Sequence, residues 1–121
     1  MKTKEQVEKA VRHFIHAGDS NDIDLLEKVL HPQFQNIQDG FFEERGVFIF
    51  LKQDYKSLVK TKRFGGAART IEFGSIEISG DIAEVKVKLE SKVLVFYSTI
   101  VLCKVIDRWK VIHNIPKIMQ K

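Results

Sequence analysis

One cysteine, one tryptophan, two prolines and no long apolar run set the first limits on this 121-residue chain. The lone thiol, Cys103, cannot close an internal disulfide, and a zinc site built on cysteines is excluded. Set inside the apolar run LVFYSTIVLCKVI, it reads as a small core residue of a protein from a reducing, cytoplasmic compartment. No apolar stretch is long enough to span a bilayer. The N-terminal MKTKEQVEKAV turns amphipathic at once, without the apolar segment of a signal peptide. Charge of one sign is also scarce, with a formal net charge of only +4. The densest basic run, KTKRFGGAAR, offers a single aromatic, Phe64, for base stacking, so nucleic acid is not an expected partner. No histidine or carboxylate spacing resembles a metal motif and no strand–turn–helix serine elbow occurs. Neither a metal nor a cofactor is expected.

What is present is a change of hydrophobic period along one domain, residues 1–121. Val7, Ala10, Val11, Phe14 and Ile15 recur at helical spacing and predict a first helix over roughly 4–17, ended at Gly18. GDSND is a turn that supplies an N-cap, Asn21 or Asp22, for a second helix carrying Ile23, Leu26, Val29 and Leu30. Pro32 stops that helix. A short strand follows, ending in an expected Asp39-Gly40 turn, then a strand in GVFIFL. A third helix lies in KQDYKSLVK, and FGGAA is a loop. The rest alternates as sheet. In RTIEFGSIEIS the apolar phase slips at Gly74-Ser75, which predicts a bulge. In IAEVKVKLE, Val85, Val87 and Leu89 oppose Glu84, Lys86, Lys88 and Glu90. The strand through VFYSTIVLCKVI is apolar on both faces: Phe96, Ile100 and Leu102 on one, Tyr97, Val101 and Cys103 on the other. In RWKVIHNI, unbroken alternation places His113 on one face with Trp109, Val111 and Ile115.

This order predicts an α+β fold, a strongly curved antiparallel sheet with three helices on its concave face, able to leave a cavity beneath the first helix. The strings GDSNDIDLLEKVLHPQF, KQDYKSLVKTKRFGG, IEISGDIAEVKVKL and RWKVIHN together resemble the nuclear transport factor 2-like (SnoaL-like, cystatin-like cone) superfamily, and within it the putative lumazine-binding proteins. The resemblance spans nearly the whole chain. It implies a homodimer formed through the outer face of the sheet. Glu84, Lys86, Lys88 and Glu90 charge part of that face, so the interface would be offset toward the later strands. The superfamily hosts isomerases, dehydratases, cyclases, transport factors and binding proteins, so the fold does not choose the function.

The candidate site residues follow from both readings. Ketosteroid isomerases of the same superfamily place an aspartate base at the end of the first strand, a position that falls on Asp39. Their helix tyrosine is replaced here by Phe14 or Ile15. Their late-strand acid falls near Tyr97 to Thr99, where there is no carboxylate, so the oxyanion donors are missing. Asp39 before glycine is also ordinary turn chemistry. His31, at a helix end before Pro32, fits capping of that helix. His113, if its face lines the cavity, could orient a ligand or act as a base, or be a bonded core histidine. Phe14, Tyr55, Tyr97, Trp109 and His113 are the expected pocket residues, the amphipathic aromatics offering both area and a polar handle; core packing is the plainer role for Trp109. The first expectation is a non-catalytic, homodimeric protein binding a small molecule in an apolar pocket. The second is an acid–base isomerase, dehydratase or cyclase working through His113, Asp39 and Tyr97. It requires at least two of them to meet in one cavity. A protein-interaction module, the third, has its only hint in the adjacent Phe41 and Phe42, one of which must point outward.

Overall fold

The structure, a computed structural model, describes residues 2–121. α1 (Thr3–Asp19) and α2 (Ile23–Val29) lead into β1 (Leu30–Phe41), β2 (Glu44–Leu51) and α3 (Lys52–Lys60). β3 (Thr70–Ser79), β4 (Ile82–Glu90), β5 (Leu94–Val105) and β6 (Arg108–Gln120) complete one sheet of order β2-β1-β6-β5-β4-β3. The element order is the one the hydrophobic periods predict. The expected all-antiparallel sheet is corrected to a mixed one, because β1 and β6 pair in parallel. Each antiparallel pair here joins strands adjacent in sequence, whereas the β1–β6 pair closes the sheet between the first strand and the last, a contact that no local pattern encodes.

α1 buries Val7, Ala10, Val11, Phe14, Ile15 and Ala17, the stripe its spacing requires. α2 is capped by Asp22, whose Oδ1 accepts the Leu25 N–H at 3.0 Å. The helices cover one face of the sheet, where they close a core with Phe34, Val85, Leu89, Ile100, Leu102, Trp109 and Val111. Phe34 is fully buried, and truncating such a side chain costs about 3–5 kcal/mol.

Besides a shift between Leu30 and Gln35 in the β1–β6 ladder, three irregularities among the described residues set which side chains face inward. The slip at Gly74-Ser75 is present: Phe73 pairs with Val87 and Ile76 with Val85, so two residues oppose Lys86. The Asp39-Gly40 pair, expected as a hairpin turn, lies inside the ladder instead. Asp39 pairs with Val47 and the register shifts before Phe41. Gly40 has φ +90°, which makes this a bulge, and the turn falls at Phe42-Glu43. The third irregularity is in β6. Val101 pairs with His113 but Leu102 with Val111, which leaves Ile112 as an extra residue. Beyond it the alternation inverts. Trp109 and Val111 face the helices; after the bulge Asn114 and Pro116 do, while His113 and Ile115 turn to the other side.

The connection 61–69 is bound to the α1–α2 turn. Asn21, at φ +53°, donates from Nδ2 to the carbonyls of Val59 and Phe64 at 2.8 and 3.2 Å. The Gly66 N–H donates to Gly18 O at 3.1 Å. At the far end of the loop, Arg69 Nε donates to Asp19 Oδ1 at 2.6 Å and the Arg69 N–H to Asp19 Oδ2 at 3.1 Å.

The outer face of the sheet carries Glu84, Lys86, Lys88 and Glu90 on β4 but is apolar further along. Val47, Ile49 and Leu51 on β2 are each more than half exposed. Ile115 and Tyr97 continue the patch on β6 and β5, with Ile37 and Val101 half-buried between them. Cys103 is half-buried on this same face, not in the core as its apolar neighbours suggested, and partial burial pushes its thiol pKa up. Among the described residues no helix is long and apolar enough to cross a membrane.

Candidate functional site

Between the helices and the sheet lies a cavity of about 490 Å³, within the usual size range of small-molecule sites. α1 contributes Phe14, Ile15 and Gly18, and α3 contributes Tyr55 and Val59; the 61–69 loop adds Arg63, Phe64 and Arg69. The sheet supplies Asn36 and Gln38 from β1 and Leu89, Phe96, Ser98 and Asn114 from the other strands.

One wall is a chain of aromatic rings. Phe14 stacks on Tyr55 at 6.1 Å, Phe34 meets Tyr55 edge-on at 5.1 Å, and Tyr55 contacts Phe64 at 5.7 Å. Phe64 reaches Phe41 and Phe50, each at 5.7 Å. Burial pushes the Tyr55 phenol up to about 12, so it is protonated at neutral pH. At the rim the Arg63 guanidinium lies 5.1 Å from the Phe41 ring and 4.9 Å from that of Phe42. Phe42 is 66 % exposed and is the outward member of the pair. Deeper, Arg69 sits 4.7 Å over Phe96 while its Nε is held by Asp19, so this cation reaches the cavity already compensated.

The opposite wall is polar and uncharged. Asn36, Gln38 and Asn114 are all buried and bonded in series. Asn114 Nδ2 donates to Asn36 Oδ1 and Asn36 Nδ2 to Gln38 Oε1, each at 2.7 Å; Gln38 Nε2 donates to Gly40 O at 3.0 Å. Inward alternation along β1 (Phe34, Asn36, Gln38) creates this row. Parallel pairing of Asn36 with Asn114 extends it across to β6.

The candidate residues fall in different places. Phe14 and Tyr55 line the cavity. Asp39 borders it but is exposed and of opposite parity to Asn36 and Gln38. His113 is half-buried on the other face of the sheet, paired with Val101 and Gln35. Tyr97 is on that outer face too, 46 % exposed, with the Lys88 ammonium 6.0 Å from its ring. Trp109 is buried in the core beyond the cavity, its Nε1 without a hydrogen-bond partner among the described residues. His31 Nδ1 accepts the Gln33 N–H at 2.9 Å, punctuation of the helix-to-strand passage. His113 and Asp39 are thus not brought together. Asn36, Gln38 and Asn114 were not singled out from the sequence, although the Phe34/Asn36 alternation is visible in it; Arg63 and Arg69 stood out only as members of the basic run KTKRFGGAAR.

The family model described as "Putative lumazine-binding" matches residues 2–115. The chain belongs to this family. Its backbone has the NTF2-like fold. It superposes with TM-score 0.83 on an NTF2-like protein of unknown function from Silicibacter pomeroyi, at 15% identity, covering 98% of this chain and 100% of that one. A second NTF2-like protein of unknown function, from Shewanella baltica, gives TM-score 0.83 at 13% identity, covering 98% and 94%. A ketosteroid isomerase-like protein from Erwinia carotovora gives 0.75 at 14% identity, covering 99% and 100%. No curated protein matches the sequence.

Proposed function

We propose that this protein binds a small organic molecule in the cavity between its helices and sheet and performs no acid–base chemistry on it. The observation that carries this reading is the cavity itself, about 490 Å³ with one aromatic wall and one wall of buried amides. That combination supplies contact area and orientation. The family's name, which points to a small-molecule ligand, supports the same reading. An acid–base enzyme would need a poised proton carrier in the cavity. The Tyr55 phenol stays protonated, Asp19 is engaged by Arg69, Asp39 is exposed, and His113 lies across the sheet. A crystal structure of protein purified without added ligand tests the reading. Density against Phe14, Tyr55 and the amide wall supports it; a cavity closed by the surrounding phenylalanines refutes it.

We also propose that the protein is a homodimer through the outer sheet face. Exposed Val47, Ile49, Leu51 and Ile115 form an apolar surface offset from the charged β4 side chains, and a second copy as its cover is what the superfamily resemblance implies. Ile49→Glu combined with Ile115→Lys is expected to shift the sedimentation coefficient from dimer to monomer; an unchanged value refutes the assignment. A reducing, cytoplasmic setting fits the single thiol.

A further inference from the structure

We infer that the cavity takes a neutral ligand with a carbonyl-class oxygen beside a flat apolar body, and that the free edge of the Arg69 guanidinium selects it. The inference rests on the small-molecule reading above and names the ligand class of that same site.

The guanidinium is held on one side only. Arg69 Nε donates to Asp19 Oδ1 at 2.6 Å and the Arg69 backbone N–H donates to Asp19 Oδ2 at 3.1 Å. Both carboxylate oxygens are thus engaged, while Nη1 and Nη2 have no hydrogen-bond partner among the described residues. These two nitrogens are accessible. Among the described residues, the unpartnered side-chain nitrogen and oxygen atoms that are sealed from solvent are Trp109 Nε1 and Asn114 Oδ1. The free edge opens between the two layers. Arg69 borders the cavity, and its guanidinium carbon lies 4.7 Å over the Phe96 ring. Phe96 faces the helices from β5, in phase with Ser98, Ile100 and Leu102. Two hydroxyls share the same condition. Tyr55 and Ser98 border the cavity, and their hydroxyls are neither partnered among the described residues nor sealed. Arg69 and Asp19 both act on the Tyr55 phenol, with opposite sign, which sets that hydroxyl at the Arg69 end.

What these atoms can do fixes the ligand's side of the bond. A guanidinium only donates, so the group that meets Nη1 and Nη2 must accept. Charge then separates a carbonyl from a carboxylate. Asp19, its side chain 13 % exposed, already neutralises this cation. A ligand carboxylate would bury a second negative charge beside it, at far greater cost than a neutral oxygen. Arg63 does not offset that charge, because it stands exposed at the rim, where solvent and salt screen it. A ketone, amide or ring carbonyl takes the same donors and leaves the Arg69–Asp19 pair neutral. The protonated Tyr55 hydroxyl is a further donor at this end. The rings of Phe14, Tyr55, Phe64 and Phe96 around the cavity suit a flat apolar body next to that oxygen.

The test uses three probes on one indane frame: 1-indanone, which presents a carbonyl, indane, which presents CH₂, and indane-1-carboxylate, which presents an anion. Each is titrated into the full chain by calorimetry, with the Arg69 Nε–H and the Phe96 ring followed by NMR. Indanone is expected to bind at least ~10-fold more tightly than indane, and more tightly than the carboxylate, shifting both signals. Asp19→Asn leaves the cation without its counter-charge and is expected to reverse the order of ketone and carboxylate. Should that variant fail to fold, the wild-type series still decides. Equal binding of indanone and indane, or indanone binding that leaves the Arg69 signal unmoved, overturns the acceptor rule and leaves the pocket reading standing. The carboxylate binding most tightly to the wild type, or an unchanged order in a folded Asp19→Asn variant, overturns the choice of a neutral ligand in the same way. Failure of all three to bind at millimolar concentration overturns both inferences.

Discussion

Gly65 is the position where a single methyl group should do most damage to the cavity without touching the sheet. A Cβ there would lie 2.0 Å from the Gly18 carbonyl oxygen and 2.8 Å from its carbon. Both are backbone atoms in the last turn of α1, so neither can step aside as a flexible side chain would. Gly65 also has φ +74°, which costs a non-glycine residue about 1–2 kcal/mol. Relieving the clash means moving the loop by about an ångström, which breaks the Gly66 N–H to Gly18 O bond and strains the Asn21 contact to Phe64. At ~1 kcal/mol per hydrogen bond, Gly65→Ala should destabilise by about 2–4 kcal/mol. For a chain of this length that lowers Tm by roughly 8–16 °C. Gly80→Ala is the control: φ is +59° and a Cβ would have nothing within 4 Å, so it carries the backbone cost alone. Thermal unfolding of both variants, followed by circular dichroism, isolates the steric part as their difference. A Gly65→Ala loss no larger than that of Gly80→Ala would refute the close approach of the loop to α1. Because Phe64 and Arg69 leave with the loop, the variant should also lose affinity for any cavity ligand.

Asn21→Ala removes two side-chain donors and puts alanine at φ +53°, so it should cost about 2–3 kcal/mol; urea unfolding measures it, and a loss under about 0.5 kcal/mol would contradict the clamp. Glu27 accepts Lys52 and Lys56 at 2.6 Å each, and these cations hold its carboxyl down at about 2. Between the ordinary carboxylate range and that value the unfolded chain binds the extra proton, so stability should fall as pH drops through this window. Glu27→Gln and high salt should each flatten the fall, and identical wild-type and variant acid profiles would remove Glu27 as a cause. Tyr55, raised to about 12 by burial, has the opposite sense. From pH 10 upward the unfolded chain releases a proton the fold retains, so stability should decline toward pH 12. Tyr55→Phe should lessen that decline, and an ultraviolet titration showing Tyr55 ionised at pH 10 would refute its desolvation.

The helices and most strands were legible because burial imposes periods of 3.6 and 2 on side chains close in sequence. The Gly74-Ser75 bulge was legible for the same reason: Ile71/Phe73 and Ile76/Ile78 are out of phase on either side of it, and the polar residues between them agree. The Ile112 bulge was not. In Val111-Ile112-His113-Asn114-Ile115 both parities carry apolar residues, so shifting the phase by one leaves the pattern equally plausible. What fixes the register is β5, whose Leu102, Ile100 and Ser98 must all face the helices. The parallel β1–β6 pair is invisible for a related reason, since its partners stand at opposite ends of the chain. Asp39-Gly40 misled in another way. An Asp-Gly pair supplies positive φ for a turn, but a bulge uses the same freedom, and Gly40 uses it there.

The amide wall was overlooked because of the chemistry sought as well as the register. Histidines and carboxylates are conspicuous in a sequence because one of them, correctly placed, can move a proton. An asparagine or glutamine is inconspicuous because alone it does little. Three in series are different: each amide fixes the next. Placing a charge in this wall would need a counter-ion to offset its desolvation, and the nearby Arg69 is already held by Asp19. A neutral row supplies buried hydrogen-bonding groups without that cost. Asn36→Leu should therefore break the row in the middle: it removes both bonds that join Asn114 to Gln38 and leaves Asn114 Nδ2 and Gln38 Oε1 unpartnered in a buried wall. At ~1 kcal/mol per lost bond and a further cost for each buried group left without a partner, the variant should be about 2–4 kcal/mol less stable in urea unfolding. A loss under about 0.5 kcal/mol would refute the row as a set of buried, mutually dependent hydrogen bonds.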